Sequence, residues 1–395
     1  MAANRNNHFF VGESSGRNTN LFSGESSGES DNIKWAKEFD EKQLDIKWLA
    51  DNLPHVPRPF YSQSPLRTMF TEVYNDNPIP IISMQLPEVD LVEQIKQASS
   101  KFGYFQIIDH GVPLPLCDQL IEKMRSFYDM GLVFRKSWLK RSITYDRGAF
   151  YNSTHDLFNG QDPTWHDTLF LRFGPDHCDP IPEICECQVD EWTREMTRLS
   201  FWIADLFAKG LGRNDRPFSW MLGRIGFYGN FYPRCCDPDR RIVGFQPHTD
   251  PCLFSILLQD DSGGLNGLYN KNWYEIRPVR GALVIFVGDL MEILSDGVYE
   301  SGIHYVKTST CVRPRVSVLQ TFAPGFQNAI CTPITQSGVP LKFNPVNISV
   351  YIKEFFNSIM TIKTMVGRYK IQPPIHGRHE SEPDTELCLG PSGGI

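Results

Sequence analysis

Residues 246–260, QPHTDPCLFSILLQD, decide how this chain is read. In an extended strand, residues two apart share a face, so His248 and Asp250 present an imidazole and a carboxylate side by side. The apolar run FSILLQD that follows belongs to a series of short β-rich segments: IGFYGNFYP, GFQPHTD, NWYEIRP, GALVIFVGD, HYVK and RVSVLQTF, separated by Gly, Pro and Asp turns. About eight short strands at such spacing predict a closed or double-sheet β architecture.

Upstream the texture is different. Leu91, Ile95, Ala98 and Phe102 fall at helical spacing, and FGYFQIIDH then reads as a buried strand. Leu116, Leu120, Met124 and Phe127 mark a second helix, and Val189 through Phe207 a longer third. Tyr351, Phe355, Phe356 and Ile359 predict a late helix able to cover the barrel. Residues 1–33, with GESSG at 12–16 and again at 24–28, are too polar to offset the entropy of ordering and read as disordered. The final stretch, HGRHESEPDTELCLGPSGGI, reads as a flexible tail. The expected organisation is a disordered segment 1–33, an α/β region 34–215, a β core 216–335, and a helix with a tail over 336–395.

A third ligand completes the opening pair. His304, in SDGVYESGIHYVK, supplies a second imidazole. Two His and one carboxylate leave coordination positions open, the arrangement of non-haem Fe(II) oxygenases, which must admit both a co-substrate and O2. The same donors also suit zinc, and His-x-Asp alone is a pattern that arises by chance. Two further i,i+2 pairs add weight: Arg315 with Ser317 in RPRVSVLQTF, and Asn230 with Tyr232 in GNFYP. Singly, such residues are more often a surface arginine or a core tyrosine. Together they put polar pairs on strands whose neighbours are apolar, and burying them unpaired costs roughly 1–3 kcal/mol each. A guanidinium beside a hydroxyl grips a carboxylate by charge-assisted hydrogen bonds. The charges of Fe(II), Asp250, Arg315 and a dicarboxylate sum to zero.

Bulk properties narrow the classes. The 395 residues are 41% hydrophobic and 22% charged, as in ordinary globular proteins, and the formal charge of -7 argues against nucleic acid or an anionic membrane as the main partner. There is no run of 18 or more apolar residues, so no membrane span is expected. The opening residues lack a basic start followed by an apolar block, so no secretory signal is expected. The 10 cysteines form no CxxC pair or disulfide framework. A reduced cytoplasmic protein follows, with oligomeric state undetermined.

The segments GNFYP, PHTDPCLFSILLQD, GGLNGLYNKNWYEIRPVRGALVIFVGDLMEILSDG and RPRVS resemble the plant 2-oxoglutarate- and Fe(II)-dependent dioxygenases of the isopenicillin N synthase-like superfamily. The resemblance covers about residues 34–365 and includes KFGYFQIIDHGVP. WAKEFDEKQLDIKWLADN and FYNSTHDLFNGQDPTWHDT are similar to the branch of 1-aminocyclopropane-1-carboxylate oxidase homologues. This implies a double-stranded β-helix, or jelly roll, with N-terminal helices and a C-terminal covering helix. It implies iron ligands at His248, Asp250 and His304, and a 2-oxoglutarate site at Arg315, Ser317, Asn230 and Tyr232. The implied activity is oxidation, expected as hydroxylation, of a small-molecule specialised metabolite by O2 with release of succinate and CO2. Ascorbate enters as a reductant. Three positions depart from the pattern: Tyr305 and His166 stand where relatives carry Arg, and Cys236 where they often carry Pro.

For the substrate, inward parity from Asn230 and Ser317 reaches Tyr228 and Thr321, and Tyr151 is expected in a loop at the mouth; core packing is the competing reading for each. An aromatic content of 12% suits an apolar or aromatic substrate, though most rings must serve the core. Two other functions stay open: an ascorbate-dependent oxidase of the 1-aminocyclopropane-1-carboxylate oxidase type, and a non-catalytic ligand-binding protein on the same scaffold. His110 reads as structural, and His155 and His166 as members of a solvated loop. Gly263, Gly264 and Gly267 read as a turn between strands.

Overall fold

Helices gather where apolar residues recur every three to four positions. In chain order they are α1 (Glu29–Glu41), α2 (Ile46–Asn52), α3 (Glu88–Lys101), α4 (Leu114–Asp129), α5 (Leu132–Trp138), α6 (Glu186–Gly210), α7 (Asp289–Leu294), α8 (Ile348–Asn357) and α9 (Thr364–Arg368). The computed structural model describes residues 29–61, 73–74, 78–140, 149–153, 163–174, 177–236, 242–308, 313–326, 329–335, 338–357 and 364–371. The expected floppy tail, most of segment 1–33, His8, His155, Ile359, His376 and His379 lie outside the described residues. Helix α1 begins at Glu29, inside that N-terminal segment. Among the described residues no helix is long and apolar enough to cross a membrane.

The strands are β1 (Val73–Tyr74), β2 (Ile81–Ser83), β3 (Tyr104–Ile108), β4 (Phe150–Ser153), β5 (Asp167–Gly174), β6 (His177–Cys178), β7 (Leu222–Tyr232) and β8 (Val243–His248). They continue as β9 (Phe254–Gln259), β10 (Leu265–Tyr269), β11 (Asn272–Glu275), β12 (Leu283–Val287), β13 (His304–Lys307), β14 (Arg315–Pro324), β15 (Ile330–Cys331) and β16 (Val346–Asn347). The larger sheet runs β2-β3-β12-β9-β14-β7-β5-β4, and the smaller β1-β11-β10-β13-β8. Pairing is antiparallel except at β2–β3 and β1–β11, as in a jelly roll. Strands β2 to β5, from the region upstream of residue 216, hydrogen-bond into the same sheet as the later strands.

Alternation sorts the side chains of the larger sheet. Val316, Val318 and Phe322 of β14, Phe227 and Phe231 of β7, and Ile256 and Leu258 of β9 pack outward in one core with apolar residues of α3, α4 and α6. The opposite parity faces the smaller sheet, where Tyr104, Leu257, Val284 and Phe286 meet Leu265 and Val306.

The N-terminal helices are fastened by buried charge. Asp45 accepts from the Trp48 amide and receives two guanidinium bonds from Arg135, Nε to Oδ2 at 2.7 Å and Nη2 to Oδ1 at 3.1 Å. Asp167, on β5, accepts the Ile46 and Lys47 amides that α2 leaves unpaired at its start. Burial, then the Asp45 charge, pushes Asp167 up to about 7, while the Ser153 hydroxyl, the Lys47 amide and the Arg135 charge pull it down. The segment WAKEFDEKQLDIKWLADN is thereby seated beside Trp165, in a cluster of its own with Phe60 and Ile242.

Two expectations change. FYNST opens as strand β4, with Tyr151 at register Leu169, because its aromatic residues suit a pleated edge. Gly267 lies inside β10 opposite His304, because a Cβ there would meet the Tyr104 ring at 2.2 Å. Gly267→Ala is expected to lower unfolding stability by about 1–3 kcal/mol, the usual penalty of overpacking. A shift of the urea midpoint at constant slope checks this.

Candidate metal centre and co-substrate pocket

β8 ends on His248 and β13 begins on His304, and these two residues pair directly. Asp250 stands two residues beyond the end of β8, so the turn into β9, rather than strand alternation, brings it to the histidines. One ligand atom from each of the three lies within 4.8 Å of the others, which makes a metal-sized cluster. Asp250 Oδ1 is 3.7 Å from His248 Nε2 and 3.8 Å from His304 Nε2.

Each donor is already oriented. The Nδ1 of His248 bonds the Gln246 carbonyl at 2.7 Å, and that of His304 bonds the Gly302 carbonyl at 3.0 Å. A carbonyl only accepts, so Nδ1 carries the proton in both rings and the Nε2 lone pairs face each other. Burial, and next the neighbouring His304, holds His248 down at about 3, against the pull of Asp250, so it is a neutral imidazole at physiological pH. The second carboxylate oxygen of Asp250 accepts from Ser255 on β9. Two neutral imidazoles and one carboxylate, each held by a partner behind it, fit a divalent first-row metal with open positions.

Behind the triad lies Asp289, at the start of α7 and fully buried. It accepts from Ser301 at 2.7 Å, from Tyr351 of α8 at 2.7 Å, and from the Thr249 hydroxyl. Its own amide donates to the Asp250 carbonyl at 2.8 Å. Burial pushes the Asp289 carboxyl up to about 7, and the three hydroxyls oppose that rise. One carboxylate therefore ties the His-x-Asp turn, the approach to His304 and the C-terminal helix together.

On the larger sheet, Arg315 is 1% exposed. Its Nε donates to the Gly263 carbonyl at 2.8 Å, Nη1 to Ser317 Oγ at 2.8 Å, and Nη2 to Gln259 Oε1 at 3.2 Å. Its charge lies 5.0 Å over the Tyr232 ring, and Tyr232 in turn hydrogen-bonds Ser317. All of these partners are neutral. The other deeply buried arginine, Arg135, has Asp45, whereas Arg315 has no carboxylate partner among the described residues. A buried cation without a counter-charge is unfavourable by several kcal/mol unless an anion completes its surroundings. Asn230 sits opposite Ser317 and accepts from Thr168 at 2.8 Å.

Stacked and edge-on rings join the two places. Tyr232 stacks on His166 at 5.4 Å, His166 meets Phe245 at 4.8 Å, and Phe245 meets His248 at 4.4 Å. His166, expected in a solvated loop, is instead buried on the inner face just before β5. Tyr305 turns away from the triad, and its ring packs edge-on against Trp273 at 4.6 Å on the outer side of the smaller sheet. His110 is structural, with Nε2 2.7 Å from the Gly281 carbonyl.

Among the substrate candidates, Tyr228 and Thr321 face inward, hydrogen-bond each other and stay partly accessible. Tyr151 does not join them. It packs outward, edge-on to Phe127 at 5.9 Å, and its strand neighbours Phe150 and Asn152 take the inward positions. Sequence reading missed Ser255, Gln259, Thr168 and Asp289. The first two were within reach, since they lie at inward parity on FSILLQ.

Residues 225–324 match the model of the 2OG-Fe(II) oxygenase superfamily. Residues 79–194 match that of the N-terminal region of non-haem dioxygenases in morphine synthesis. The chain is 31% identical to 1-aminocyclopropane-1-carboxylate oxidase homolog 4 of Arabidopsis thaliana over 73% of its length and 83% of the relative's. It is 30% identical to homolog 6 of the same plant over 85% of its length and 97% of the relative's. In fold it is similar to JOX2, solved in complex with 2OG, Fe and JA, with TM-score 0.71 and 24% identity over 83% of this chain and 98% of that one. A rice dioxygenase for auxin oxidation aligns with TM-score 0.62 and 20% identity over 74% of this chain and all (100%) of its own.

The Asp289 network generates a prediction. Asp289→Ala is expected to weaken Mn(II) binding about 10–100-fold, with Tyr351→Phe moving it the same way by less. Unchanged affinity of both variants, measured by titration calorimetry, would confine Asp289 to a packing role.

Proposed function

The chain belongs to the 2OG-Fe(II) oxygenase superfamily, in the branch of the 1-aminocyclopropane-1-carboxylate oxidase homologues, and we propose that it hydroxylates a small organic molecule, a specialised metabolite, with release of succinate and CO2. As a member of that family it is a dioxygenase that uses iron(II), 2-oxoglutarate and O2. The observation that carries the finer reading is the pairing, inside one jelly roll, of a preorganised His248–Asp250–His304 cluster with the acid-free buried guanidinium of Arg315.

In this reading His248, Asp250 and His304 hold the iron. When bound, iron with 2-oxoglutarate would supply the oxidising power: one atom of O2 goes to the substrate as its new hydroxyl, and the other to succinate as 2-oxoglutarate loses CO2. The chain's own residues bind, orient and exclude water. Arg315, Ser317 and Tyr232 grip the far carboxylate of the co-substrate, and Asn230 lies on the same face one step along. Gln259 and the Gly263 carbonyl hold the guanidinium fork in place, so little side-chain entropy remains to be lost when the anion arrives. Leu257, Leu319, Val284 and Phe286 keep the space between the sheets dry, which strengthens every charge interaction inside it. Tyr228 and Thr321 border the space left for substrate. The catalytic unit takes residues 216–335 together with β2 to β5. The unpaired state of the eight described cysteines supports a cytoplasmic setting.

Screening metabolites for substrate-dependent succinate, with product mass, tests the reading. Turnover that needs ascorbate and yields no succinate would instead mark an oxidase of the 1-aminocyclopropane-1-carboxylate oxidase type. Ligand binding without turnover, unaffected by Asp250→Ala, would mark a binding protein. Anaerobic addition of Fe(II) and 2-oxoglutarate is expected to give a weak visible absorption band that Asp250→Ala abolishes. Arg315→Leu is expected to raise the 2-oxoglutarate concentration needed for that band at least about 30-fold, the equivalent of roughly 2 kcal/mol.

A further inference from the structure

The inner face of β7, β14 and β5 changes character along its length. Beyond the level of Arg315 and Ser317, the inward positions are Leu319 and Tyr228, with Phe170 opposite Tyr228 and Phe150 opposite Phe170. Three of these rings form a continuous wall, Phe150 to Phe170 at 4.8 Å and Phe170 to Tyr228 at 4.7 Å. Phe150 and Phe170 are buried, and Tyr228 is the ring of the wall that stays partly accessible. Leu319, Thr321 and Tyr228 remain partly accessible, while the outward residues of β14 between them are buried.

At the outer end of this wall the next inward residues are Gly226 and then Arg224. Gly226 is overhung by the wall, since a Cβ there would meet Thr321 Oγ1 at 2.7 Å and Tyr228 at 3.0 Å. Arg224 is half-buried, its partner across the strand pair is Ala323, and among the described residues no acid pairs with it. The nearby Arg172 differs, because its Nε lies 3.5 Å from buried Asp179. Among the described residues Arg224 thus has no paired acid; Ala323 lies opposite it, and Arg172, opposite Gly226, is the neighbouring cation on the same face. It stands four strand residues, roughly 13 Å of backbone, beyond Tyr228, whose ring overhangs the intervening Gly226.

We propose that Arg224 anchors the carboxylate of the substrate, whose class is then an organic acid with an aromatic or flat apolar body lying against Phe150, Phe170 and Tyr228. The inference rests on reading the space between the sheets as the reaction chamber. It adds the substrate's charge and the residue that selects it. A guanidinium in a half-buried site discriminates between an acid and its neutral isostere, because the isostere leaves the cation desolvated and unmatched. The wall alone discriminates little among flat apolar bodies.

The test uses the full chain loaded with Mn(II) and saturated with 2-oxoglutarate, so that Arg315 is already occupied. The probes are 2-naphthoic acid and 2-naphthamide, followed by naphthalene fluorescence. The wild type is expected to bind the acid at least about tenfold more tightly than the amide, a difference of roughly 1.4 kcal/mol. Arg224→Ala is expected to bind both as weakly as the wild type binds the amide, and Arg224→Lys to restore part of the preference. Circular dichroism and 2-oxoglutarate affinity report whether the variants fold and keep the other site. Equal affinities in the wild type, no binding of the acid, or an acid preference that survives Arg224→Ala would each overturn the assignment. If the wild type fails to bind 2-oxoglutarate at all, the oxygenase reading falls instead, whereas an acid preference lost in Arg224→Ala would still stand.

Discussion

The register of β14 against β7 and β9 is the constraint on which the rest of this molecule depends. It sets Arg315, Ser317, Leu319 and Thr321 opposite Tyr232, Asn230, Tyr228 and Gly226 on one side, and Ser317, Leu319 and Thr321 opposite Gln259, Leu257 and Ser255 on the other. A slip of one residue would drive a guanidinium and two hydroxyls into the helix-packed core and turn valines toward the chamber. The outer residues Val316, Val318 and Phe322 of β14, buried in one core with residues of α4 and α6, oppose any such slip. The chemistry of the inner face is in this sense secured by the packing of the outer one.

Charge then explains why the inner face is arranged as it is. His248 is held neutral by burial and by its partner ring, Asp250 is held by Ser255, and Arg315 is surrounded by neutral oxygens. A divalent metal and a dicarboxylate would bring the sum of charges to zero. Either guest alone would leave a buried surplus. Affinity for one is therefore expected to depend on the presence of the other, through the low-dielectric space that the apolar residues between the sheets maintain.

Several residues were misread in sequence, for physical reasons that are local to each. FYNST reads in sequence as a loop that puts Tyr151 at the mouth, but β4 is an edge strand whose parity sends Phe150 and Asn152 inward. Gly267 reads in sequence as part of a turn with Gly263 and Gly264. It lies in β10 opposite His304, where a Cβ would run into the Tyr104 ring. His166 was placed in a solvated loop, yet the Asp45–Arg135–Asp167 network pins the start of β5 and carries His166 inside with it. In each case the deciding neighbour lies far away in the chain.

By itself the sequence determined the spacing of His248, Asp250 and His304, the paired polar positions on β7 and β14, and the division into upstream helices and later strands. All of these follow from periods of two and of about 3.6, which are properties of a single segment. The tertiary structure decided which carbonyl fixes each imidazole, that Asp289 binds three segments into one support, and that among the described residues no acid pairs with Arg315. It also set Arg224, which no acid pairs among the described residues, past the end of an aromatic wall. These are facts of convergence between distant strands, and hydrogen bonding and burial take effect only where such convergence occurs. The three-ligand site was legible because its donors are conspicuous, whereas the means by which it is held in place required the fold.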